Sequence, residues 1–135
     1  MSKTKNLPAF EIDAPDEIEW PVTVSIPASG GTFADFRFTG VFRLLPESEY
    51  AALLGGGRGD EAEGVRASLA EVLEGNVEKL AGVITDWKGI RRGGVELPFS
   101  VDQLRAQLTG KYGRALATGI NTALSEIRLG ARLGN

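Results

Sequence analysis

The side chains that could do chemistry in this chain are carboxylates, amines and two tyrosines, because the 135 residues include no histidine and no cysteine. Without imidazole or thiol there is no Ser-His-Asp or Cys-His relay, no disulfide, and no metal site with nitrogen or sulfur ligands. Acid–base catalysis would need a carboxylate, lysine or tyrosine with a strongly shifted pKa, and a metal site would need oxygen ligands alone. We therefore expect a protein that is not an enzyme and that binds no cofactor or metal.

Two segments have the composition of ligand-binding loops but lack the required spacing. Residues 55–64, GGGRGDEAEG, contain no G-x-x-x-x-G-K-[ST] pattern, which a phosphate-binding loop requires. Residues 11–19 carry five carboxylates but lack the glycine of a D-x-D-x-D-G calcium loop. We interpret the first segment as a loop before a helix, and the second as part of a mobile acidic arm over residues 1–19.

Charge is distributed unevenly along the chain, whose formal net charge is -3. Residues 1–75 hold 13 Asp and Glu against 6 Lys and Arg, whereas residues 76–135 hold 5 against 9. A molecule whose two halves carry opposite net charge could self-associate or dock a charged partner. The basic half also suggests a nucleic-acid-binding patch made of Arg91, Arg92, Arg105, Lys111 and Arg114. The negative net charge, and the lack of a basic stripe interleaved with aromatic residues, disfavour nucleic acid.

The elements that must position these side chains begin with a β-hairpin. Residues 22–26, VTVSI, alternate apolar and polar, and residues 27–31, PASGG, predict a turn. A second alternating run follows, and its apolar face consists of Phe36, Phe38, Gly40, Phe42 and Leu44. A hairpin alone is marginally stable, so we expect this face to be covered by helices or by another subunit.

Helical periodicity begins after the hairpin and predicts a first helix over residues 46–54. A second amphipathic helix is predicted to begin at Asp60. Gly75 predicts a break, followed by a further helix up to Trp87, and a single long helix that tolerates the glycine is the alternative. A final amphipathic helix is predicted over about residues 111–129.

Residues 89–99, GIRRGGVELPF, predict a tight turn with short extended flanks, because the paired glycines permit positive φ. A short helix is then predicted, with Ser100 as N-cap and Gln103 completing a capping box. Phe99 and Leu104 are spaced as a hydrophobic staple for the same helix.

Five side chains around this turn are candidates for partner binding: Trp87, Arg91, Arg92, Leu97 and Phe99. The three large apolar side chains among them could equally pack a corner of the fold, and packing is the favoured interpretation.

The segment ITDWKGIRRGGVELPFSVDQLRAQL, residues 84–108, resembles the central motif of phage tail assembly chaperones. In that motif a Trp-x-Gly-apolar segment and a glycine-containing turn precede a Leu-Pro-Phe-Ser helix start and a short leucine-rich helix. VFRLLPESEYAAL, residues 41–53, is similar to the strand and "LLP" helix start upstream in such proteins. The resemblance spans about residues 36–135, and its specific part is residues 87–108. One departure is the turn at residues 91–94, which is often acidic in such proteins and is Arg-Arg-Gly-Gly here.

The resemblance implies a non-enzymatic factor that binds and solubilises the tape measure protein. It also implies that the factor helps recruit tail tube protein during tail assembly and is absent from the finished virion. An apolar hairpin and several amphipathic helices are compatible with covering apolar surface on such a client. The alternative is a small nucleic-acid-binding regulator from a mobile element.

These patterns predict an α+β fold, with an N-terminal antiparallel β-hairpin or small sheet followed by four to five amphipathic helices. The arm precedes a single globular domain over residues 20–135, divided into a hairpin region, 20–45, and a helical region, 46–135. No stretch approaches the ~20 apolar residues of a membrane span, and the N-terminal residues lack a signal-peptide core. We therefore expect a protein of the bacterial host cytoplasm.

Overall fold

The computed structural model describes residues 7–13, 16–55 and 69–130. Its first element is a long antiparallel hairpin of strands β1 (Glu17–Ala28) and β2 (Thr32–Arg43), as predicted. The connecting turn contains Gly30 and Gly31, whose φ angles of 93° and 82° lie in the region that side chains with a Cβ rarely adopt. Strand β1 begins at Glu17, so its first three residues lie in the segment predicted as arm.

A third strand, β3 (Ile84–Lys88), pairs antiparallel with β2 and gives the sheet order β1-β2-β3. The prediction that residues up to Trp87 are helical was therefore wrong over this segment. The helix before it stops at Ala81, and the amides of Gly82 and Val83 bond back to the carbonyls of the last helical turn. Ile84 is buried in the strand just as it would be in a helix, so its place in the helical pattern could not distinguish the two.

Four helices and a small second sheet make up the rest of the described chain. The helices are α1 (Glu47–Leu54), α2 (Leu69–Ala81), α3 (Val101–Leu108) and α4 (Gly113–Leu129). The small sheet pairs β4 (Arg91–Arg92) with β5 (Val95–Glu96) across the predicted glycine turn. The α+β prediction is thereby confirmed. Helix α2 runs through Gly75 without a break, and the predicted helix start at Asp60 lies outside the described residues.

The core lies between one face of the sheet and the helices. Each of the elements β1, β2, β3, α1, α2, α3 and α4 contributes at least one buried side chain to it. The largest side chains with less than 2% of their surface exposed are Phe42, Ile84, Leu104, Ile120 and Leu124. This single cluster joins the hairpin to the helical region, so the two predicted regions form one packed unit.

Helix α4 covers the hairpin by a close approach to β1. At Gly119 an added Cβ would lie 2.4 Å from the carbonyl oxygen of Thr23 and 3.1 Å from a methyl of Val22. Further along the helix, the Trp20 indole donates a hydrogen bond of 2.8 Å to the carboxylate of Glu126. The lack of a side chain at Gly119 therefore permits the backbone contact on which this packing is built.

Helix α1 is tied to both the sheet and α4. The hydroxyl of Tyr50, which is buried, donates to the carbonyl of Arg43. The Arg128 guanidinium of α4 pairs with the Glu47 carboxylate, and this hydrogen bond lowers the pKa of Glu47 from its ordinary value. These contacts place the start of α1 against the last turns of α4.

Ser100 caps helix α3 as predicted. Its hydroxyl accepts a hydrogen bond of 3.0 Å from the amide of Gln103. The Gln103 side chain bonds to Gln107 in the next turn. The cap therefore satisfies one of the free amides at the helix start.

Substitution of Gly119 and of Gly75 by alanine should give opposite results. Gly119→Ala should lower the free energy of unfolding by about 2 kcal/mol or more, because its methyl would collide with the backbone of β1. Gly75→Ala, where no atom lies within 4 Å of the added Cβ, should raise it by about 0.5–1 kcal/mol. Urea denaturation measures both, and equal midpoints for the two variants would contradict the proposed close approach.

The cap is tested by Ser100→Ala, which should reduce the free energy of unfolding by about 1 kcal/mol through loss of the acceptor for the Gln103 amide. Ser125→Ala is the matched control, because Ser125 is exposed within helix α4. Alanine favours a helix interior, so the control should lose no stability. Chemical denaturation of both variants gives the comparison, and an unchanged Ser100→Ala midpoint would show that the cap contributes nothing.

Candidate functional site

Trp87, the first candidate for partner binding, belongs to the core. Its ring is 3% exposed and packs edge-to-face on Phe99 at 4.9 Å and on Phe38 at 6.4 Å between centroids. Its indole nitrogen donates a hydrogen bond of 2.8 Å to the carbonyl of Leu97. The packing interpretation therefore holds for Trp87, and this ring offers no surface to a partner in the folded chain.

The other candidates divide between packing and exposure. Leu97 and Phe99 are half-buried and pack against the core beside Trp87. Arg91 and Arg92 are exposed on strand β4. These two arginines form an exposed basic surface, which we call the basic corner.

The exposed aromatic surface lies instead at the far end of the hairpin. Phe33 is 69% exposed, and Phe36, on the face predicted to be covered by helices or by another subunit, is 58% exposed. The reason is the length of β3, which pairs only with residues 39–42 of β2 and leaves the far half of the hairpin without a third strand. Phe36 lies on the face that carries Phe38, and Phe33, at odd spacing, lies on the opposite face.

One groove runs along the outer side of β1. It has a volume of about 640 Å³ and lies between β1 and helix α4, with Phe33 at one end; we call it the edge groove. Pro21 and Pro27 of β1 line it, and proline has no amide hydrogen to give to a further strand. This groove therefore favours side-chain contact with a partner over the addition of a strand to the sheet.

A second, smaller cavity opens on the opposite face of the hairpin, and we call it the apolar cleft. It has a volume of about 300 Å³, and its apolar lining comes from Val24, Ile26, Phe36, Phe38, Ile90 and Leu116. Arg37 and Arg91 also line the cleft. The apolar lining suits an apolar segment of a partner, and the exposed Arg91 beside it would favour acidic residues in that segment.

The electrostatics of the edge groove are mixed. Lys111 and Arg114 at the start of α4 line it, and the Lys111 ammonium lies 5.2 Å from the centre of the Tyr112 ring. Of the other basic residues, Arg105 is paired with Glu74 and Asp102, so it is not part of a free patch. At the far side of the sheet, the Glu19 carboxylate accepts from Lys88 and raises the pKa of that ammonium.

The sequence patterns did not identify the end of the hairpin near Phe33 as a candidate site. The signal present in the sequence was Phe33, an aromatic residue next to the turn glycines and out of phase with the apolar face. A phenylalanine at such a position is a candidate for exposure. The exposure of Phe36 had no local signal, because it depends on where β3 ends.

Neither metal-binding nor membrane-spanning features emerge from the described residues. Residues 7–13, 16–55 and 69–130 contain no group of three or more acidic side chains that could hold a metal ion. Among the helices of these same ranges, none is long and apolar enough to cross a bilayer. Comparisons of the whole chain with protein-family models, curated proteins and solved structures gave no match.

The packing role of Trp87 predicts a large loss of stability on truncation. Trp87→Ala should lower the free energy of unfolding by about 3–5 kcal/mol, because it removes a buried ring and leaves the Leu97 carbonyl without its donor. Arg92→Ala, at an exposed position nearby, should change it by about 0.5 kcal/mol or less. Thermal and urea unfolding of both variants test this, and a Trp87→Ala protein of native stability would show that the ring is not structural.

Proposed function

We propose that this protein is a non-enzymatic assembly chaperone of a phage or prophage tail. It binds and solubilises the tape measure protein and helps recruit tail tube protein, in the bacterial host cytoplasm and not as part of the mature virion. The observation that carries the protein-binding part of this proposal is the exposed Phe33 ring beside the edge groove. The identity of the client rests on the resemblance of residues 84–108 to the tail assembly chaperone motif.

An exposed aromatic ring next to a groove is a feature of protein interfaces. Burying one phenylalanine side chain is worth about 1.5–3 kcal/mol, and aromatic residues are enriched at interface centres. The edge groove extends from Phe33 along helix α4 to Glu126, which gives room for a segment of a partner chain. Apolar stripes of amphipathic helices commonly bind in grooves of this kind.

In this chain, the residues that resemble the tail assembly chaperone motif have structural roles. Trp87 joins β3 to the segment before α3 through the Leu97 carbonyl and the Phe99 ring. That junction holds the end of β3, and the position of this end leaves the far half of the hairpin uncovered. The motif therefore supports client binding indirectly, by fixing which part of the hairpin is exposed.

The basic corner formed by Arg91 and Arg92 is proposed to assist with acidic partners. Both side chains are exposed on β4, close to the apolar cleft that Arg91 also lines. Charged groups at an interface rim mainly affect the association rate and the salt dependence of binding. Their contribution should therefore weaken as salt is added, whereas contacts made by Phe33 should persist.

Co-expression with the tape measure protein of the same genetic element tests the proposal. Wild-type protein should increase recovery of soluble tape measure protein, and Phe33→Ser should weaken binding by about 2 kcal/mol because it removes the exposed aromatic ring that lines the groove. Val95→Ser is the matched control, since Val95 is also 69% exposed on a strand but lies outside the edge groove. Thermal unfolding should show that both variants are folded.

The alternative function gives a different outcome in the same assay. If wild-type protein leaves the tape measure protein insoluble and instead shifts a DNA or RNA probe, the chaperone proposal is overturned in favour of a nucleic-acid-binding regulator. Nucleic-acid binding would weaken steeply between low and high salt, because it releases counterions. Equal client recovery with wild type and Phe33→Ser would show that the edge groove is not the client site.

A further inference from the structure

Strand β2 has one edge that is only partly paired. Strand β3 pairs with residues 39–42 of β2 and ends at Lys88. The chain bends at Gly89, whose φ is 96°, and pairing with β2 does not continue. Residues 35–37 of β2, beyond this point, are all exposed. The hairpin therefore has an unpaired strand edge along residues 33–37, and we call it the open edge.

The backbone polar groups of the open edge have no backbone partner in the described part of the chain. The amide of Arg43 donates to the carbonyl of Val83 at the start of β3, so the backbone groups of Arg43 face β3. These groups point to alternate sides along a strand, so those of Phe33, Asp35 and Arg37 face the same side. No described element pairs with β2 at these three residues on that side. They are free to bond to an added strand.

The other edge of the hairpin is protected against strand addition. The carbonyl of Thr23 on β1 faces Gly119 of helix α4. Pro21 and Pro27 are in phase with Thr23 and have no amide hydrogen to give to a further strand. The sequence of the open edge, FADFR, contains no proline. Of the two hairpin edges, that of β2 is therefore the one that can accept a strand.

The side chains of the open edge differ between its two faces. Phe36 lines the apolar cleft and is 58% exposed, whereas Asp35 and Arg37 lie on the opposite face of the sheet. Neither charged residue forms an ion pair within the described part of the chain. Opposite charges directly across neighbouring strands stabilise a sheet, and like charges destabilise it. A matching strand has an acidic residue opposite Arg37, an apolar residue opposite Phe36 and a basic residue opposite Asp35.

Neither a second copy of the open edge nor residues 7–13 supply this pattern. In antiparallel pairing of two open edges, Asp35 lies opposite Phe33, Asp35 or Arg37 of the other copy, depending on register. The first two registers give Asp35 no cation, and the third places Phe33 opposite residues of β2 that already pair with β3. The exposed residues 7–13, LPAFEID, contain two acidic residues and no basic one, so no register of this segment supplies a cation for Asp35. Charge complementarity therefore favours a strand from a different protein.

We propose that the open edge binds an extended segment of another protein, which joins the sheet as an antiparallel strand beside β2. Its backbone exchanges pairs of hydrogen bonds with Asp35 and Arg37, and its side chains follow the order acidic, apolar, basic along its chain. The apolar side chain enters the cleft against Phe36, and the two charged side chains lie on the other face of the sheet. The edge groove lies along β1, at the other edge of the hairpin, so this proposal does not depend on the tail-assembly function.

Peptides of defined sequence test the open edge on the full-length protein by NMR. The peptide acetyl-Glu-Ile-Lys-Val-Thr-amide should bind and slow the amide hydrogen exchange of Asp35 and Arg37. The amides of Ala34 and Phe36 face β1 and are the internal control, because the peptide adds no hydrogen bond to them. The charge-reversed peptide, acetyl-Lys-Ile-Glu-Val-Thr-amide, should bind about tenfold more weakly. Failure of the first peptide to bind, or equal binding of the two, would overturn the proposal.

Methylation of single peptide amides tests the strand geometry. The lysine amide of the peptide faces β2, so its N-methylation should weaken binding by about tenfold or more. The isoleucine amide faces away from β2, so its N-methylation is the matched control and should change binding by less than about twofold. An equal loss from the two modifications would contradict strand addition.

Substitutions in β2 separate the backbone contribution from the charge contribution. Asp35→Pro removes an amide that faces the peptide and leaves the pairing with β1, so it should abolish binding, whereas Asp35→Asn should only weaken it. The double variant Asp35→Arg with Arg37→Asp should prefer the charge-reversed peptide by about tenfold. Thermal unfolding checks that each variant is folded. A double variant that keeps the wild-type preference would overturn the proposed charge pattern.

Amide exchange of the protein without peptide distinguishes the other possible occupants of the open edge. The amides of Asp35 and Arg37 should exchange rapidly at every protein concentration, because no strand covers them. Protection that rises with protein concentration would overturn the proposal in favour of pairing between copies of this chain. Protection that is independent of concentration would overturn it in favour of a segment of the same chain.

Discussion

The contact between helix α4 and strand β1 is the constraint on which the rest of this structure depends. The hairpin has two strands of 12 residues, and a two-stranded hairpin is marginally stable in water by itself. Helix α4 covers its inner face because Gly119 lets the helix backbone approach the Thr23 carbonyl. Leu116 and Ile120, adjacent on the same helix, are then buried in the core that also holds Val22. Without this approach helix α4 could not pack so closely against strand β1.

A second constraint acts at the opposite edge of the sheet. The Trp87 ring lies between Phe38 of β2 and Phe99 before α3, and its indole bonds to the Leu97 carbonyl. This arrangement fixes β3 against the base of the hairpin and brings α3 to the core. Since β3 has only 5 residues against 12 in β2, the same arrangement leaves the end of the hairpin uncovered.

The uncovered end gives the molecule two surfaces of different chemistry. One face presents Phe33 beside the edge groove, and the other presents Phe36 beside the apolar cleft. Successive residues of a strand point to opposite faces, so Phe33 and Phe36 serve different surfaces, although Tyr112 lines both.

The sequence alone determined the features that depend on local chemistry. The absence of histidine and cysteine excludes whole classes of catalytic and metal site. The alternating hairpin, its glycine turn and the cap at Ser100 could also be predicted, because each rests on interactions among residues close together in the chain. The exposure of Arg91 and Arg92 agrees with their place beside a tight turn.

Only the tertiary structure decided which apolar side chains are covered. The pattern around Ile84 fits a helix or a strand, and pairing with β2 selects the strand. Trp87 is core and Phe36 is exposed, although both are aromatic residues on or near apolar runs, because burial depends on which element packs across from each. The periodicity of a sequence indicates that one face of a strand is apolar. How much of that face is buried depends on the length of the neighbouring strand, and contacts between residues distant in sequence set that length.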